Sequence, residues 1–476
     1  MKFNIVIVCF LTLGLQSSIM YSQQVISEQA MAIDDSLSIA VISIYTNPDI
    51  QEVTTISYKN TIYELDINTE KPITEVKHTL IQNEGKKYTL YVTELPLFQF
   101  HTEKTIVNEP KRMTSVSYID KHIAITTHAG IELRGSSSLV FQKKTYDFNL
   151  YEDEKGTFNQ HLAMDEMRTD DDWILDALYN EPIRLRSYLS FNIWNHIHKP
   201  YYLDREPKAK AGIEAHFTEV FINNSYKGLY LLTEQVDRKL LKIKKEQGDT
   251  IRGELFQGAR YLGASSFDSL PEKKNYLLSW GGYDIKYPVP TNTPWDSLYE
   301  FTDFVLHSDD LDFEKEIASR FNIDNLIDYF LFINTLRAPD NLGKNIYIAR
   351  YDIEEPYFYV PWDLDGTFGT IYSGKRVETT DVFLTNGLLR RLLLVNPNNF
   401  ISRLKKRWLV LRKDILHTIS ITSRQRMAYE RLYKNLLYER EGIRWGRMDN
   451  TSEELEYMQE WTKKRLLFLD QYFAGL

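Results

Sequence analysis

The stretch Ala338–Tyr351, "APDNLGKNIYIARY", decides how this chain is read. An apolar helical pattern, "NIDNLIDYFLFINTLRA" (residues 322–338), runs into Asp340, and Asn345 follows five residues later at the mouth of a strand. A turn at Ile353–Pro356 leads back through "YFYVPWDLDGTFG" (residues 357–369). The alternation predicts a β-hairpin whose return strand brings Asp363 and Asp365 beside Asn345. Taken singly, each of these residues reads as a turn cap, because Asp and Asn favour turns. Taken in order, they offer one carboxylate able to orient or deprotonate a hydroxyl. They also offer the carboxylate and amide oxygens that hold Mg²⁺ together with phosphates.

Three segments upstream carry further candidates. In "FQKKTYDFNLY" (141–151), strand alternation puts Lys144 on a face with Tyr146, Phe148 and Leu150. Lys143 falls with Thr145, Asp147 and Asn149, a solvent face. A lysine on the apolar face needs an anionic partner, since burying a lone charge costs several kcal/mol. The ordinary alternative is a lysine that snorkels to water from the strand end. In "IELRGSSSLVF" (131–141), Gly135 permits a tight turn, and Ser136, Ser137 and Ser138 present hydroxyls and N–H groups that suit phosphate oxygens or a plain hairpin loop. In "LLTEQVD" (231–237), an apolar strand ends at Glu234, as a domain hinge or as backbone able to pair with a base edge.

The chain around these motifs has 476 residues, 43% hydrophobic and 13% aromatic, enough for a large core and two to four domains. Its net charge of -9 is mixed along the chain, with no basic tract, so nucleic acid is not an expected partner. Residues 1–22 read as an export signal: Lys2, then an apolar run from Ile5 to Leu15, too short to span a bilayer, which takes about 20 residues. The one cysteine, Cys9, lies inside it, so the exported chain would hold no disulfide or thiolate. No later run is long enough to span a membrane. Residues 23–120 show short alternating strands, including a Lys59-Asn60 turn, and predict a sandwich-like β module without visible chemistry. Residues 121–240 are β-rich around one helix, with Asn180 as its N-cap candidate and Pro182 in its first turn, and carry a hairpin at Asn223-Asn224. Residues 241–476 are mostly helical, broken at Asn396-Pro397, and close on a helix opened by a Thr451/Glu454 capping box.

In wording and order the segments "IELRGSSSLVFQKKTYDFNLYED", "DDWILDALYNEPIRLRSYLSFNIW", "FTEVFINNSYKGLYLLTEQVD" and "NIYIARYDIEEPYFYVPWDLDGTFG" resemble the CotH kinase family, which has an atypical protein-kinase-like fold. The resemblance covers about 120 to 370 and implies an α+β, bilobal fold. The β-rich N-lobe would be 121–240, the helical C-lobe 241–476, and the β module would precede them. It implies transfer of the ATP γ-phosphate to a Ser or Thr hydroxyl of a secreted or surface-layer protein, with Mg²⁺ or Mn²⁺, in an exported, periplasmic or cell-surface setting. By position, Lys144, Arg134, Ser136 and Ser137 would bind the phosphates, Glu234 would sit at the adenine-facing linker, and Asp340 would be the base. Asn345 and Asp363 would hold metal, with Asp365 as the other candidate. The glycine loop of ordinary kinases is missing. No Glu follows Glu181 in its helix to pair with the lysine, which leaves Asp172 or Asp176 as substitutes. The competing expectation is an inert surface adhesion or coat-type protein on the same scaffold.

Overall fold

The computed structural model describes residues 22–46, 53–66, 77–135, 137–248, 250–288, 295–446, 448 and 450–476. The expected export signal therefore lies, apart from Ser22, outside the described residues, as does Ser136. The chain is an α+β protein with three main sheets. Seven strands form the first: β1 (Ser22–Val25), β2 (Met31–Asp34), β3 (Ile39–Ser43), β4 (Val53–Tyr58), β5 (Thr61–Asp66), β6 (Lys77–Gln82) and β7 (Lys87–Thr93). Their order is β1-β4-β5-β6-β7-β3-β2, with β1/β4 and β3/β7 parallel. The expected sandwich is thus a single mixed sheet. Its second layer is the neighbouring barrel, whose Leu97, Ile119, Phe221 and Tyr226 complete the same apolar cluster.

That barrel is closed by β8 (Leu97–His101), β9 (Arg112–Ile119), β10 (Ala124–Arg134), β11 (Thr145–Tyr151), β14 (Asp172–Asp176), β15 (Ala215–Ile222) and β16 (Ser225–Thr233). A short ribbon, β12 (Leu162–Ala163) and β13 (Thr169–Asp170), lies between β11 and β14. The boundary drawn at 120 consequently cuts a single unit, because β8 and β9 are barrel staves. Phe98, Phe100, Tyr118, Phe148, Trp173 and Tyr230 fill the interior. The barrel is therefore a packed core, and anything it binds must lie on its outer face. Both asparagine turns read from the sequence form, with φ of 48° and 61° at Lys59 and Asn60 and of 51° and 58° at Asn223 and Asn224.

Helix α1 (Arg186–Ile197) starts six residues after Asn180, its expected cap. The buried Glu181 carboxylate does the capping instead, accepting from the N–H groups of Arg186 (2.6 Å) and Ser187 (2.9 Å). After the one-turn helix α2 (Arg238–Leu241) come β17 (Glu254–Gly258), β18 (Ser279–Trp280), β19 (Tyr283–Tyr287), β20 (Ile346–Arg350) and β21 (Tyr357–Pro361), an antiparallel sheet in the order β18-β19-β17-β20-β21. Helices α3 (Asp296–His307), α4 (Asp310–Arg320) and α5 (Ile323–Leu336) interrupt it. α6 (Gly387–Val395), α7 (Phe400–Arg412), α8 (Thr418–Lys434), α9 (Leu437–Trp445) and α10 (Thr451–Gly475) follow it. α5 is buried on nearly every side, mostly by apolar residues, and its buried Asn325, Asp328 and Asn334 are each satisfied by hydrogen bonds. The break at Asn396 is real: the residue sits at φ 54° between α6 and α7. The capping box at Thr451 does not form. Asn450 takes the cap position, Thr451 Oγ1 meets Tyr429 Oη, and Glu454 pairs with Arg376.

Helix α9 returns from the far end of the chain to the wall of the barrel and inserts two adjacent charges there. Arg440 donates to both carboxylate oxygens of Glu219 on β15, each at 2.7 Å, and both side chains are fully buried. A buried bidentate pair is costly to form and far costlier to break, since the survivor is left charged without water. Arg440→Met should therefore lower the unfolding free energy by about 3–5 kcal/mol in a urea titration. A loss below about 1 kcal/mol would show that Glu219 does not depend on it.

Candidate active site

Between the outer face of the barrel and the end of the β20–β21 sheet lies a cleft of ≈ 870 Å³. Each wall is set by local structure. Asp340 lies in a 3₁₀ turn, Pro339–Leu342, started where α5 ends at Arg337 in a left-handed conformation. Asn345 opens β20. Its carbonyl accepts from the Trp362 N–H (3.1 Å), and its side-chain amide donates to the Asp363 carbonyl (3.4 Å). Asn341 fastens the same corner by donating to the carbonyls of Asn345 (2.6 Å) and Trp362 (2.8 Å). The return strand therefore carries Asp363 and Asp365 past Asn345, and these three residues line the cleft with Asp340. Asp363 adopts φ 50°, a backbone that Asp tolerates better than most residues.

The barrel contributes the opposite wall. Arg134, at the end of β10, faces the cleft with its guanidinium over the Trp362 ring at 5.3 Å, donating to Asp147 at 3.2 Å. Gly135 follows at φ 117°, and a Cβ there would meet Ser138 Oγ at 1.9 Å, so only glycine makes this turn. Ser138 lines the cleft. Ser137 begins the 3₁₀ turn that follows.

The lysine is the main correction. Lys143, not Lys144, lines the cleft. Lys144 donates to the Leu139 carbonyl at 2.5 Å, outside the cleft. The alternation holds from Thr145 on, and Tyr146, Phe148 and Leu150 point into the barrel. That face is filled, however, and the polar face taken for solvent is the one the cleft uses. β11 also begins only at Thr145, so the pattern does not extend back to the lysines. Lys143 donates to Glu441 Oε1 at 2.8 Å and to the Leu229 carbonyl, and both charged side chains are fully buried. Burial pulls the Lys143 ammonium down to about 8, against the pull of Glu441. Glu441 also accepts from the Leu229 N–H (2.6 Å) and from Arg184 (3.3 Å). Lys143 thus has a glutamate partner 298 residues downstream, beyond the reach of any local pattern. Neither Asp172 nor Asp176 is that partner.

Glu234 is also corrected. It is fully buried and spent on structure, accepting from Lys210 (2.6 Å), the Glu214 N–H (2.8 Å) and the Arg168 N–H (3.2 Å). Its own N–H donates to the Glu214 carbonyl. Thr233, one residue earlier, lines the cleft with a buried hydroxyl that has no protein partner.

The cleft holds more carboxylates than the sequence suggested, with Asp176 and Glu181 joining Asp340, Asp363 and Asp365. The packed surroundings, then Asp176 and Asp340, push the Asp363 carboxyl up to about 6, and its side chain opens into the cleft. Burial and then Asp363 push Asp365 well above the usual carboxylate range, with the Asn180 amide as its hydrogen-bond donor. Asp176 is raised by burial. Among the described residues none of these three carboxylates has an ion pair. Mutually repelling carboxylates beside the Asn345 amide are a donor set suited to a divalent cation that phosphate oxygens complete. A second acidic cluster, His161, Asp170 and Asp171, differs because Lys239 and Arg168 already neutralise it.

Carboxylates, an amide and an arginine thus converge from two sheets of this α+β protein on one cleft. Residues 131–469 match the family described as CotH kinase protein. The chain belongs to this family. It is 24% identical over 354 residues to the Inner spore coat protein H of Bacillus subtilis (strain 168), an alignment covering 73% of this chain and 87% of that protein.

Glu181 supplies a pH test. Burial raises its carboxyl to about 7 from an ordinary 4.5, against the pull of Ser187. The folded protein then binds a proton that the unfolded chain has lost between these values. Its contribution is present below pH 4.5 and is lost as pH rises through 7, on the order of 3 kcal/mol in all. Glu181→Gln cannot titrate, so its stability should fall less steeply than wild type from pH 5 to 7.5. Parallel curves would contradict this.

Proposed function

We propose that this chain is a protein kinase of the CotH type, transferring the ATP γ-phosphate to a Ser or Thr hydroxyl of a secreted or surface protein. On this reading the barrel side and the sheet-and-helix side act as two kinase-like lobes around the cleft. The observation that carries it is the meeting of Arg134 and Lys143 from one side with Asp340, Asn345, Asp363 and Asp365 from the other. Export agrees with the apolar start of the chain and with the coat location in the relative's name. Among the described residues no helix is long and apolar enough to cross a membrane.

Phosphoryl transfer asks a protein chiefly to position groups and to offset charge. Arg134 and Lys344 are the cleft cations open to phosphate oxygens. Lys143, closed off by Glu441, holds the wall behind them. Asn345, Asp363 and Asp365 would hold Mg²⁺ or Mn²⁺, which when bound offsets the phosphate charge. Asp340, half-buried at the rim, receives the acceptor's proton. Thr233 offers its free hydroxyl at the end of β16, where the linker reading put the base.

With labelled ATP and Mn²⁺, wild type should label itself or an added protein, and Asp340→Ala should not, while melting normally. Lys143→Met should lose about a hundredfold in transfer and Lys144→Met little. Undiminished labelling by Asp340→Ala would remove its role as base. Equal losses in the two lysine variants would remove the special place of Lys143. No labelling and no thermal shift at millimolar nucleotide would favour an inert coat or adhesion scaffold.

A further inference from the structure

Asp340 already has a hydroxyl on it. Tyr261, in the loop after β17, lines the cleft, and its phenol donates to the Pro339 carbonyl at 2.9 Å and to Asp340 Oδ1 at 3.3 Å. Among the described residues it is the one side-chain hydroxyl bonded to that carboxylate. The ring is held there by its backbone. The N–H groups of Ala259 and Arg260 both donate to the Gly282 carbonyl, at 2.8 and 3.1 Å, and Arg260 pairs with Asp284 at 2.9 Å. Gly282 permits this approach, since a Cβ there would lie 2.4 Å from the Arg260 carbonyl oxygen. Burial, and then Asp340, keep the phenol protonated, so it sits as a donor to the base. Yet Tyr261 is 47% exposed, and Leu262 beside it is 53% exposed, so the segment is not locked in a core.

We propose that Tyr261 is a modification site: an intramolecular acceptor that the protein phosphorylates on Oη before, or in competition with, an external hydroxyl. The inference rests on the kinase reading above. In the step, Tyr261 Oη attacks the γ-phosphorus of ATP. The Oη–P bond forms as the bond from that phosphorus to the β,γ-bridging oxygen breaks, the phenol proton passes to Asp340 Oδ1, and ADP leaves. The product carries nearly two negative charges beside the Asp340 carboxylate, so repulsion drives the phosphotyrosine away from the base and opens the position to an external acceptor.

The test uses the full chain with ATP and Mn²⁺, a Ser/Thr/Tyr peptide library in the same tube, and mass-spectrometric mapping of all products. Phosphate is expected on Tyr261, at a rate per molecule unchanged over a hundredfold dilution of the protein. Asp340→Asn, checked for an unchanged melting temperature, should lower that rate by about a hundredfold. Tyr261→Phe should erase the mark. Phosphate in the library or elsewhere on the chain, but never on Tyr261, would overturn the proposal and leave the kinase reading standing. A Tyr261 rate that falls in proportion to dilution would overturn the intramolecular acceptor. Transfer to nothing at all would overturn both.

Discussion

The structure depends on where one carboxylate goes. Glu441, from a helix near the end of the chain, enters the barrel wall and takes up the charges of Lys143 and Arg184 and the Leu229 N–H at once. Its approach is possible because residue 228 is glycine: at φ 93°, a Cβ there would lie 1.9 Å from Glu441 Oε1. Removing any member of this set leaves another charged in a dry interior, which costs several kcal/mol. The pair therefore ties the C-terminal helices to the barrel and fixes the wall on which the cleft is built. The glutamate comes from α9, 298 residues beyond the lysine it meets.

The crowding of carboxylates in the cleft costs stability. Burial raises Asp176, the packed surroundings and then Asp176 and Asp340 raise Asp363, and burial and then Asp363 raise Asp365. Lys344 and Arg134 only partly offset this at Asp363, and among the described residues none of the three has an ion pair. Folding alone would not choose such an arrangement, and strain of this kind collects at functional sites. The surrounding order holds it in place. α5 is buried almost throughout, Asn341 staples the Asn345 corner, and Asn180 reaches across from the barrel side to Asp365.

What the sequence made legible follows from the range of each interaction. The hairpin between Asn345 and Asp363 was readable because alternation, turn residues and register all act within twenty residues. The asparagine turns and the break at Asn396 were readable for the same reason. The lysine was misread because strand alternation separates two faces without saying which is filled. Only barrel closure, with β8 and β9 recruited from before residue 120, decides that the inner face is solid. Glu441 was invisible because it meets Lys143 only in the folded chain. Glu234 was placed by analogy at a linker, whereas its carboxylate is consumed by Lys210 and two backbone N–H groups. Tyr261 sits in a loop whose composition gives no hint of its neighbour Asp340.

The most direct test of the account is a crystal structure grown with Mn²⁺ and a non-hydrolysable ATP analogue, read by anomalous scattering from the manganese. The account predicts a manganese peak bound by Asp363 or Asp365 near Asn345, with the triphosphate running from Arg134 towards Asp340. A peak at His161, Asp170 and Asp171 with the cleft empty, or a nucleotide bound away from Asp340, would contradict it.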